Sequence, residues 1–346
     1  MRDRLAEALK KADADNCEIR FETDDSTNFG YRGAEFDRVS TSKSAGGIAR
    51  ACHKGGWGVA TFESAGAIES SIVEACRSAK LVGTDTTRLA EQRPSETTAP
   101  ATFERDFRGV SLDEKLALAA RYNDIVMGTD DKIESSSVSY GESFRAVHFL
   151  NTCGTYFHEE RPKVYVAFSA TARDGTLTQR AGDSFASTHD YSCVLDRDER
   201  VKEIAARAVA LLKAPKPEGG AMTVVLDPEL GGVFAHEAFG HLSEADFLHE
   251  NPKMRELMHL GREMGVKELN IIDDGGRGRL LGTHPCDDEG TPTGKTYLIK
   301  EGVLAGHLHS LETAAKMGAR PTGNARSISR SQPPIVRMTN TYIEGG

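Results

Sequence analysis

Apolar residues recur at helical spacing in several stretches of the chain. In residues 198–214, DERVKEIAARAVALLKA, they form one stripe, which predicts a helix that ends before Pro215. In residues 111–127, SLDEKLALAARYNDIVM, Ser111 stands three residues before Glu114, the capping-box signature of a helix start. The same spacing predicts further helices over 1–15, 65–82 and 311–319.

Between these helices the pattern changes to short runs typical of strands. Runs over 17–25 and 46–64 predict strands of a first α+β layer, and runs over 134–142, 144–159 and 162–172 predict an antiparallel meander. MTVVLD (222–227) predicts another strand, and KTYLIKEGVLAGHLHS (295–310) predicts a hairpin that turns at Glu301 and Gly302. The expected fold class is α+β, with an α/β-layered N-terminal region containing antiparallel strands and a β-rich C-terminal domain.

A chain of 346 residues is long enough to divide into two or more domains. Residues 84–103 are rich in Thr, Pro and charge, and residues 215–220 read PKPEGG, so both are predicted linkers. They separate an N-terminal α+β segment (1–83), a second α+β segment (104–214) and a C-terminal domain (221–346).

Composition excludes several classes of function. The formal net charge is -9 and the Lys and Arg residues are scattered, so no basic surface for direct nucleic-acid binding is expected. No secretory signal and no apolar run of about 20 residues is visible, which argues against a membrane protein. The six cysteines form no C-x-x-C pair. We therefore expect a cytoplasmic protein with reduced thiols.

The most informative motif is HEAFGH, residues 236–241. Asp227 followed by Pro228 is a helix-start signal, so the motif is expected on a helix launched after residues 222–227. His236 and His241 flank Glu237, as in zinc hydrolases, but they are five positions apart. On a regular α-helix this spacing separates the two side chains by roughly 140° around the axis, too far to share one ion.

A π-type turn would bring residues five apart into register, and Gly240 makes such a distortion inexpensive. Both imidazoles would then face one Zn²⁺, and Glu237 would act as general base on a zinc-bound water. The alternative is a pair of ordinary helix histidines. Glu244 and Asp246 follow the motif, and either is a candidate third ligand, a carboxylate that holds an imidazole, or a solvated helix acid.

The sequence resembles the TldD/PmbA metallopeptidases, and specifically the TldD branch that carries H-E-x-x-x-H. The resemblance rests on HEAFGHLSEADF together with four further stretches in the same order. These are GGWGVATF, VVLDPELGGVFAHEAFGH, DDEGTPT (287–293) and PTGNARSISRSQPPIVRMTNTY (321–342).

The resemblance implies a zinc-dependent cytoplasmic peptidase that cuts unstructured peptides or small unfolded proteins. It assigns His236 and His241 as zinc ligands and Glu237 as the general base. It also implies a partner, either a paralogous PmbA/TldE-type subunit without the metal motif or a second copy in a homodimer. Neither nucleic acid nor a membrane is an expected partner.

The third zinc ligand of this family is a cysteine in a C-terminal region that lies beyond the MTNTYIEGG at the end of this chain. The C-terminal domain is therefore expected to be incomplete, or else Cys286 or Glu244 substitutes for that ligand. The competing hypothesis is a non-catalytic or truncated subunit that serves as a scaffold in a TldD/PmbA-type complex.

Two other stretches are candidates for substrate binding. DDEGTPTG is either a solvated turn or a loop near the site, with Asp288 and Glu289 as candidate contacts. TGNARSISR offers Asn324 and Arg326, whose amide and guanidinium suit a peptide backbone or carboxylate, although a plain surface loop is the alternative. His307 and His309 alternate along the predicted hairpin and are expected on the sheet surface.

Overall fold

The computed structural model describes residues 1–83 and 88–345, and its largest element is a seven-stranded sheet from the first half of the chain. Its strands are β1 (Asn16–Arg32), β2 (Glu35–His53), β3 (Gly56–Phe62), β4 (Glu96–Ala99), β5 (Ile133–Asn151), β6 (Tyr156–Asp174) and β7 (Leu177–Ser187). The order β3-β2-β1-β5-β6 is antiparallel throughout. β4 and β7 share the remaining edge of β6, and β4 runs parallel to it. The predicted antiparallel α+β fold is confirmed.

The sheet runs through both predicted N-terminal segments without interruption. β1 from the first segment pairs along its length with β5 from the second. The stretch predicted as a linker (84–103) contains β4, while its residues 84–87 lie outside the described residues. Residues 215–219 form no regular secondary structure. The domain boundaries themselves stay a prediction.

Four helices cover one face of the sheet: α1 (Arg2–Leu9), α2 (Ile68–Val82), α3 (Leu112–Met127) and α4 (Asp198–Leu211). α1 and α2 pack on Ile19 and Phe21 of β1, whereas Tyr122 of α3 and Ile204 of α4 pack over β5 and β6. The predicted capping box at the start of α3 is confirmed. These contacts follow from the apolar stripe on each helix and the alternation along each strand.

The opposite face of β1 carries charge. Glu18, Arg20 and Glu22 alternate with the core residues of the strand, yet all three are buried. They lie against the C-terminal part of the chain, because Arg20 contacts Asp288 and the neighbouring Arg50 of β2 contacts Glu289. The two halves of the chain therefore meet through a layer of ion pairs rather than through a purely apolar interface.

The C-terminal part contains short elements only. Its helices are α5 (Pro228–Ala235), α6 (Ala245–Glu250), α7 (Pro252–Leu257) and α8 (Leu311–Met317). β8 (Ile271–Asp274), β9 (Lys295–Lys300), β10 (Val303–Leu304) and β13 (Thr341–Ile343) form a sheet in the order β10-β9-β8-β13. β11 (Ala325–Arg326) pairs with β12 (Ile335–Val336). The predicted turn at Glu301 and Gly302 is confirmed, since it joins β9 to β10.

The prediction of a strand over MTVVLD is wrong for the described structure. Residues 222–227 pair with no strand among residues 1–83 and 88–345, and Val225 is 96% exposed. Apolar β-branched residues favour extended backbone, but a strand also needs the hydrogen-bonding edge of a neighbour.

Two further features bear on the environment of the protein. No helix within the described ranges is both long and apolar enough to cross a bilayer. All six cysteines carry free thiols, and the closest pair, Cys17 and Cys76, have sulfur atoms 3.9 Å apart in the core under α2.

Candidate metal centre

The HEAFGH motif begins in a helix and leaves it through a π turn. Asp227 caps α5, because its Oδ1 accepts a hydrogen bond of 2.8 Å from the Leu230 amide, and Pro228 occupies the first turn as predicted. α5 continues into a π turn over His236–Gly240 and a 3₁₀ turn over His241–Ser243. The His241 amide donates to the His236 carbonyl, which is the i to i+5 hydrogen bond that defines a π turn. The predicted distortion is confirmed.

Gly240 is necessary for the packing of this turn. A Cβ atom placed on Gly240 would overlap Sδ of Met338, a buried residue of the core beneath the motif. The φ angle of Gly240 is -59°, so backbone strain is not the reason for a glycine here. The reason is space, because the π turn lies directly on Met338.

The π turn brings the two histidines together. The centroids of the His236 and His241 rings are 4.7 Å apart, with an angle of 81° between the ring planes. One potential ligand atom from each of His236, Glu237 and His241 lies within 4.8 Å of the others. Among the residues described, this is the group of His, Cys, Asp and Glu side chains with metal-ligand spacing. The separation of roughly 140° that a regular α-helix imposes on residues five apart therefore does not apply to these two histidines.

The chemistry of these donors fits zinc. Two imidazole nitrogens and a carboxylate oxygen are ligand types that Zn²⁺ binds at four-coordinate sites. Burial lowers the pKa of His236, and the nearby His241 lowers it further. A lowered pKa favours the neutral imidazole, which is the form that binds a metal.

Glu244 supports His241 from beneath. Its carboxylate is 1% exposed, and its Oε1 lies 3.3 Å from Nδ1 of His241 and 3.9 Å from the Arg337 guanidinium. Burial raises the pKa of Glu244, while His241 and Arg337 oppose that effect. With Nδ1 facing Glu244, Nε2 of His241 is the nitrogen left for a ligand, an arrangement common at zinc sites.

Asp246 has a different role. Its Oδ2 accepts a hydrogen bond of 2.6 Å from the Val336 amide and so attaches α6 to β12. Because this carboxylate is bonded to backbone and is not part of the His236, Glu237 and His241 group, the structure favours Asp246 as a support of the C-terminal core.

A cleft of about 710 Å³ gives access to the motif. His236 and Glu237 line it together with Arg277, Leu280 and residues 339–342. Glu237 is exposed, so its carboxylate can exchange protons with a molecule in the cleft. The sequence analysis missed Arg277 and Tyr342, although the guanidinium carbon of Arg277 lies 3.7 Å from the centroid of the Tyr342 ring. Arg277 lies in none of the motifs quoted from the sequence, and Tyr342 ends the stretch 321–342 without a role assigned to it.

Cys286 does not approach the histidine group. It is 3% exposed and packs with Val147, Phe149 and Phe157, on the face of the sheet that meets the C-terminal part. Burial raises the pKa of its thiol, with Glu159 and Asp287 adding to the effect, so the thiolate that a metal requires is disfavoured. These observations do not support Cys286 as a substitute ligand.

Of the two alternatives for DDEGTPTG, the solvated turn is wrong for its three acidic residues. Asp287, Asp288 and Glu289 are all at least 96% buried. Asp288 accepts from Arg161 at 3.0 Å and from the Ser327 amide at 2.8 Å, and burial is outweighed by Arg161 and Arg20 so that its pKa is well below its usual range. Glu289 accepts from Arg50 at 3.2 Å and from the Leu311 amide at 2.9 Å. Neither carboxylate faces an open cleft, so their predicted substrate contacts lack structural support.

The two candidate residues in TGNARSISR, Asn324 and Arg326, have different environments. Asn324 is buried and donates to Asp273 at 2.8 Å and to the Arg337 carbonyl at 3.0 Å, which makes it part of the scaffold of the C-terminal sheet. Asp273 also accepts from Thr339 and Thr341, a role that the sequence analysis missed. Arg326 instead lines a cavity of about 310 Å³ between the two halves of the chain.

His307 and His309 are not on a sheet surface as expected. Both are buried, and Nε2 of His307 lies 2.9 Å from the Met258 carbonyl. Their ring centroids are 6.2 Å apart, and they are outside the metal-spaced group described above.

Comparison with known proteins extends these observations to almost the whole chain. Models of the PmbA/TldA metallopeptidase match in three parts: domain 1 at residues 17–80, the central domain at 105–214 and the C-terminal domain at 219–346. A metalloprotease of Synechocystis sp. is 42% identical over 338 residues, which cover 97% of this chain and 73% of that protein.

Two other proteins add detail. A zinc metalloprotease TldD homolog of Saccharolobus solfataricus is 33% identical over 219 residues, covering 62% of this chain and 48% of that protein. The solved structure of TldE from Thermococcus kodakarensis has a TM-score of 0.77 at 19% identity, over 100% of this chain and 78% of that one. At this identity the structural similarity shows the fold alone.

Proposed function

The chain belongs to the PmbA/TldD family of metallopeptidases, and on that premise we propose that it is a zinc-binding, catalytic-type subunit that hydrolyses peptide bonds. The observation that carries the proposal is the π turn, which brings His236, Glu237 and His241 together, with His236 and Glu237 lining an open cleft. The relative named as a zinc metalloprotease supports zinc as the metal.

A zinc ion bound here would polarise the scissile carbonyl and lower the pKa of a coordinated water to about 7. His236 and His241 would hold the ion, and Glu244 would keep the His241 ring oriented through Nδ1. The Glu237 carboxylate would accept a proton from the attacking water and deliver it to the leaving amide nitrogen.

The proposed substrates are unstructured peptides or small unfolded proteins. A polypeptide must present its backbone to the Glu237 carboxylate, and the cleft beside His236 is lined by the segment 339–342, which begins as a loop and ends in β13. An extended peptide fits an arrangement of this kind better than a folded surface does. The proposed location is the cytoplasm, where free thiols persist.

The proposed partner is a paralogous PmbA/TldE-type subunit, or a second copy of this chain. Membership of the PmbA/TldD family supports this proposal, because the catalytic-type subunit of that family is expected to pair with a paralogue. Size-exclusion chromatography with light scattering, for the chain alone and with a co-expressed paralogue, would distinguish monomer, homodimer and heterodimer.

The test of the catalytic role compares Glu237→Gln with Glu229→Gln, an exposed glutamate of α5 away from the cleft lining. Cleavage of a fluorogenic unstructured peptide and zinc content by mass spectrometry are measured on both variants. Glu237→Gln should retain zinc and lose about 10²–10⁴-fold in kcat, while Glu229→Gln should resemble the wild type. A wild-type chain that neither retains zinc nor cleaves peptide would instead support the scaffold hypothesis.

A further inference from the structure

A second concave site lies next to the proposed metal centre. It is the cavity of about 310 Å³ lined by β5, β6, the loop 279–284 and Arg326 of β11. Arg277 and Leu280 line the cleft of the metal centre, whereas Arg279 and Leu281 line this cavity. The same loop therefore forms a wall of both sites, which makes the cavity an immediate neighbour of the metal-centre cleft.

The lining of this cavity is strongly cationic although the whole chain has a net charge of -9. Its wall carries five Arg or Lys side chains and two carboxylates. Both carboxylates are already engaged: Glu159 binds Arg161 and His284, and Glu160 accepts from the Ala101 amide at 2.9 Å. Carboxylates outside the lining pair with three of the five cations: Asp288 with Arg161 at 3.0 Å, Glu22 with Arg145 at 3.6 Å and Glu104 with Arg279 at 3.7 Å. Among the described residues, the cations of this wall without a carboxylate partner are Lys163 and Arg326.

Arg326 is the main candidate contact for an anion in this cavity. Within the described part of the chain, no carboxylate lies within ion-pair distance of its guanidinium. Its Nη2 lies 2.8 Å from Nε2 of His284, and Nδ1 of His284 lies 2.7 Å from Glu159. His284 therefore donates through Nδ1 and accepts through Nε2, which occupies a single one of the five Arg326 donors.

The electrostatic environment agrees with this geometry. Burial lowers the pKa of Arg326, and the neighbouring Arg161 and Arg145 lower it further against the pull of Asp288 and Glu159. An anion that enters the cavity would therefore stabilise the charged form of the Arg326 guanidinium. A planar carboxylate is the natural ligand, because the Arg fork binds its two oxygens in parallel.

We propose that this cavity is a subsite for a carboxylate of the peptide substrate, with Arg326 as its main contact and Arg145 as an accessory cation. The inference rests on the proposed peptidase function and adds substrate selection to it. The carboxylate is either the free C-terminus of the peptide or an acidic side chain, since both present the same group.

The test measures equilibrium binding in the Glu237→Gln background, so that no cleavage is needed. Three labelled peptides of one neutral sequence are used: a free acid, a C-terminal amide, and an amide with one internal Glu. Fluorescence anisotropy should show at least tenfold tighter binding of one or both carboxylate peptides than of the neutral amide. The peptide that binds tightly identifies the source of the carboxylate.

Arg326→Gln should abolish that difference while leaving the affinity for the neutral amide unchanged. Arg207→Gln, on the exposed side of α4, is the matched control and should preserve the difference. Arg145→Gln provides a second variant if Arg326→Gln does not fold, and it should reduce the preference at least threefold. Its side chain is 33% exposed, and Glu22, with which it pairs at 3.6 Å, keeps Arg20 as a partner at 2.8 Å.

Equal binding of all three peptides by the Glu237→Gln protein overturns the subsite, as does an equal loss of affinity for all three in Arg326→Gln. Cleavage by the wild-type protein separates this failure from failure of the proposed function. If all three peptides are cleaved with equal KM, the peptidase stands and the subsite falls. If nothing is bound or cleaved, both fall.

Discussion

Two clusters of ionisable residues that the sequence offers as candidate sites, the loop Asp287–Glu289 and the HEAFGH motif, have opposite environments in the structure. The loop Asp287–Glu289 is buried between the halves of the chain, and its carboxylates are occupied by arginines and backbone amides. The HEAFGH motif lies at the wall of a cleft, with Glu237 exposed and the imidazoles partly exposed.

This difference distinguishes charged groups that stabilise the fold from charged groups that are available for chemistry. A buried carboxylate that already accepts several hydrogen bonds has no free oxygen for a substrate, and its loss leaves its partners unpaired. A carboxylate at an open cleft contributes little to folding and remains available for proton transfer. Substitutions in the first cluster should therefore change stability, and those in the second should change metal binding or activity.

The largest expected effect is that of Asp288→Asn. It removes the charge that compensates Arg161 and Arg20, so the free energy of unfolding should fall by roughly 3–5 kcal/mol. Urea denaturation at pH 7 measures this change. Asp25→Asn, in an exposed pair with Lys43, is the control and should leave the unfolding midpoint unchanged. Equal free energies of unfolding for Asp288→Asn and Asp25→Asn would contradict a structural role for the buried carboxylates.

Glu244→Gln tests the support beneath the metal centre. Loss of the carboxylate that faces Nδ1 of His241 should weaken zinc binding by roughly 10–100-fold. Competition with a zinc-sensitive dye gives the affinity, and Glu250→Gln at the exposed end of α6 is the control. An unchanged zinc affinity would mean that Glu244 serves the packing of the turn and not the metal.

Gly240→Ala tests the π turn itself. The added methyl group collides with Met338, so the variant should be destabilised by roughly 1–3 kcal/mol and should bind zinc less tightly. Gly231→Ala is the matched control, because no atom lies within 4 Å of its Cβ and alanine favours a helix by about 0.5–1 kcal/mol. Thermal unfolding distinguishes them, and the idea fails if both variants gain stability.

The smallest expected effect concerns pH. Burial, outweighing the attraction of Arg50, raises the pKa of Glu18 from 4.5 to about 7. The folded state then holds an extra proton between these values, so the stability from this group falls as pH rises through that range. Between pH 6 and pH 8 the wild type should lose roughly 1 kcal/mol more than Glu18→Gln. Urea denaturation gives the free energy of unfolding at the two pH values, and an equal change for the wild type and Glu18→Gln would contradict this prediction.

The sequence by itself determined features that depend on neighbouring residues. The capping box at Ser111, the cap at Asp227, the turn at Glu301 and Gly302, and the π turn over His236–Gly240 all follow from hydrogen bonds or torsions within a few residues. Such signals can be read locally because their energies are local. The motif spacing, which excluded a metal on a regular helix, therefore predicted the turn that permits one.

Only the tertiary structure decided which polar groups are buried. Arg50 and Glu289 are 239 positions apart, and Cys286 is enclosed by residues of β5 and β6. The exposure of MTVVLD and the lack of a carboxylate partner for Arg326 among the described residues are likewise set by which distant elements lie beside them. Burial and charge compensation depend on long-range partners, and no local pattern of residues specifies them.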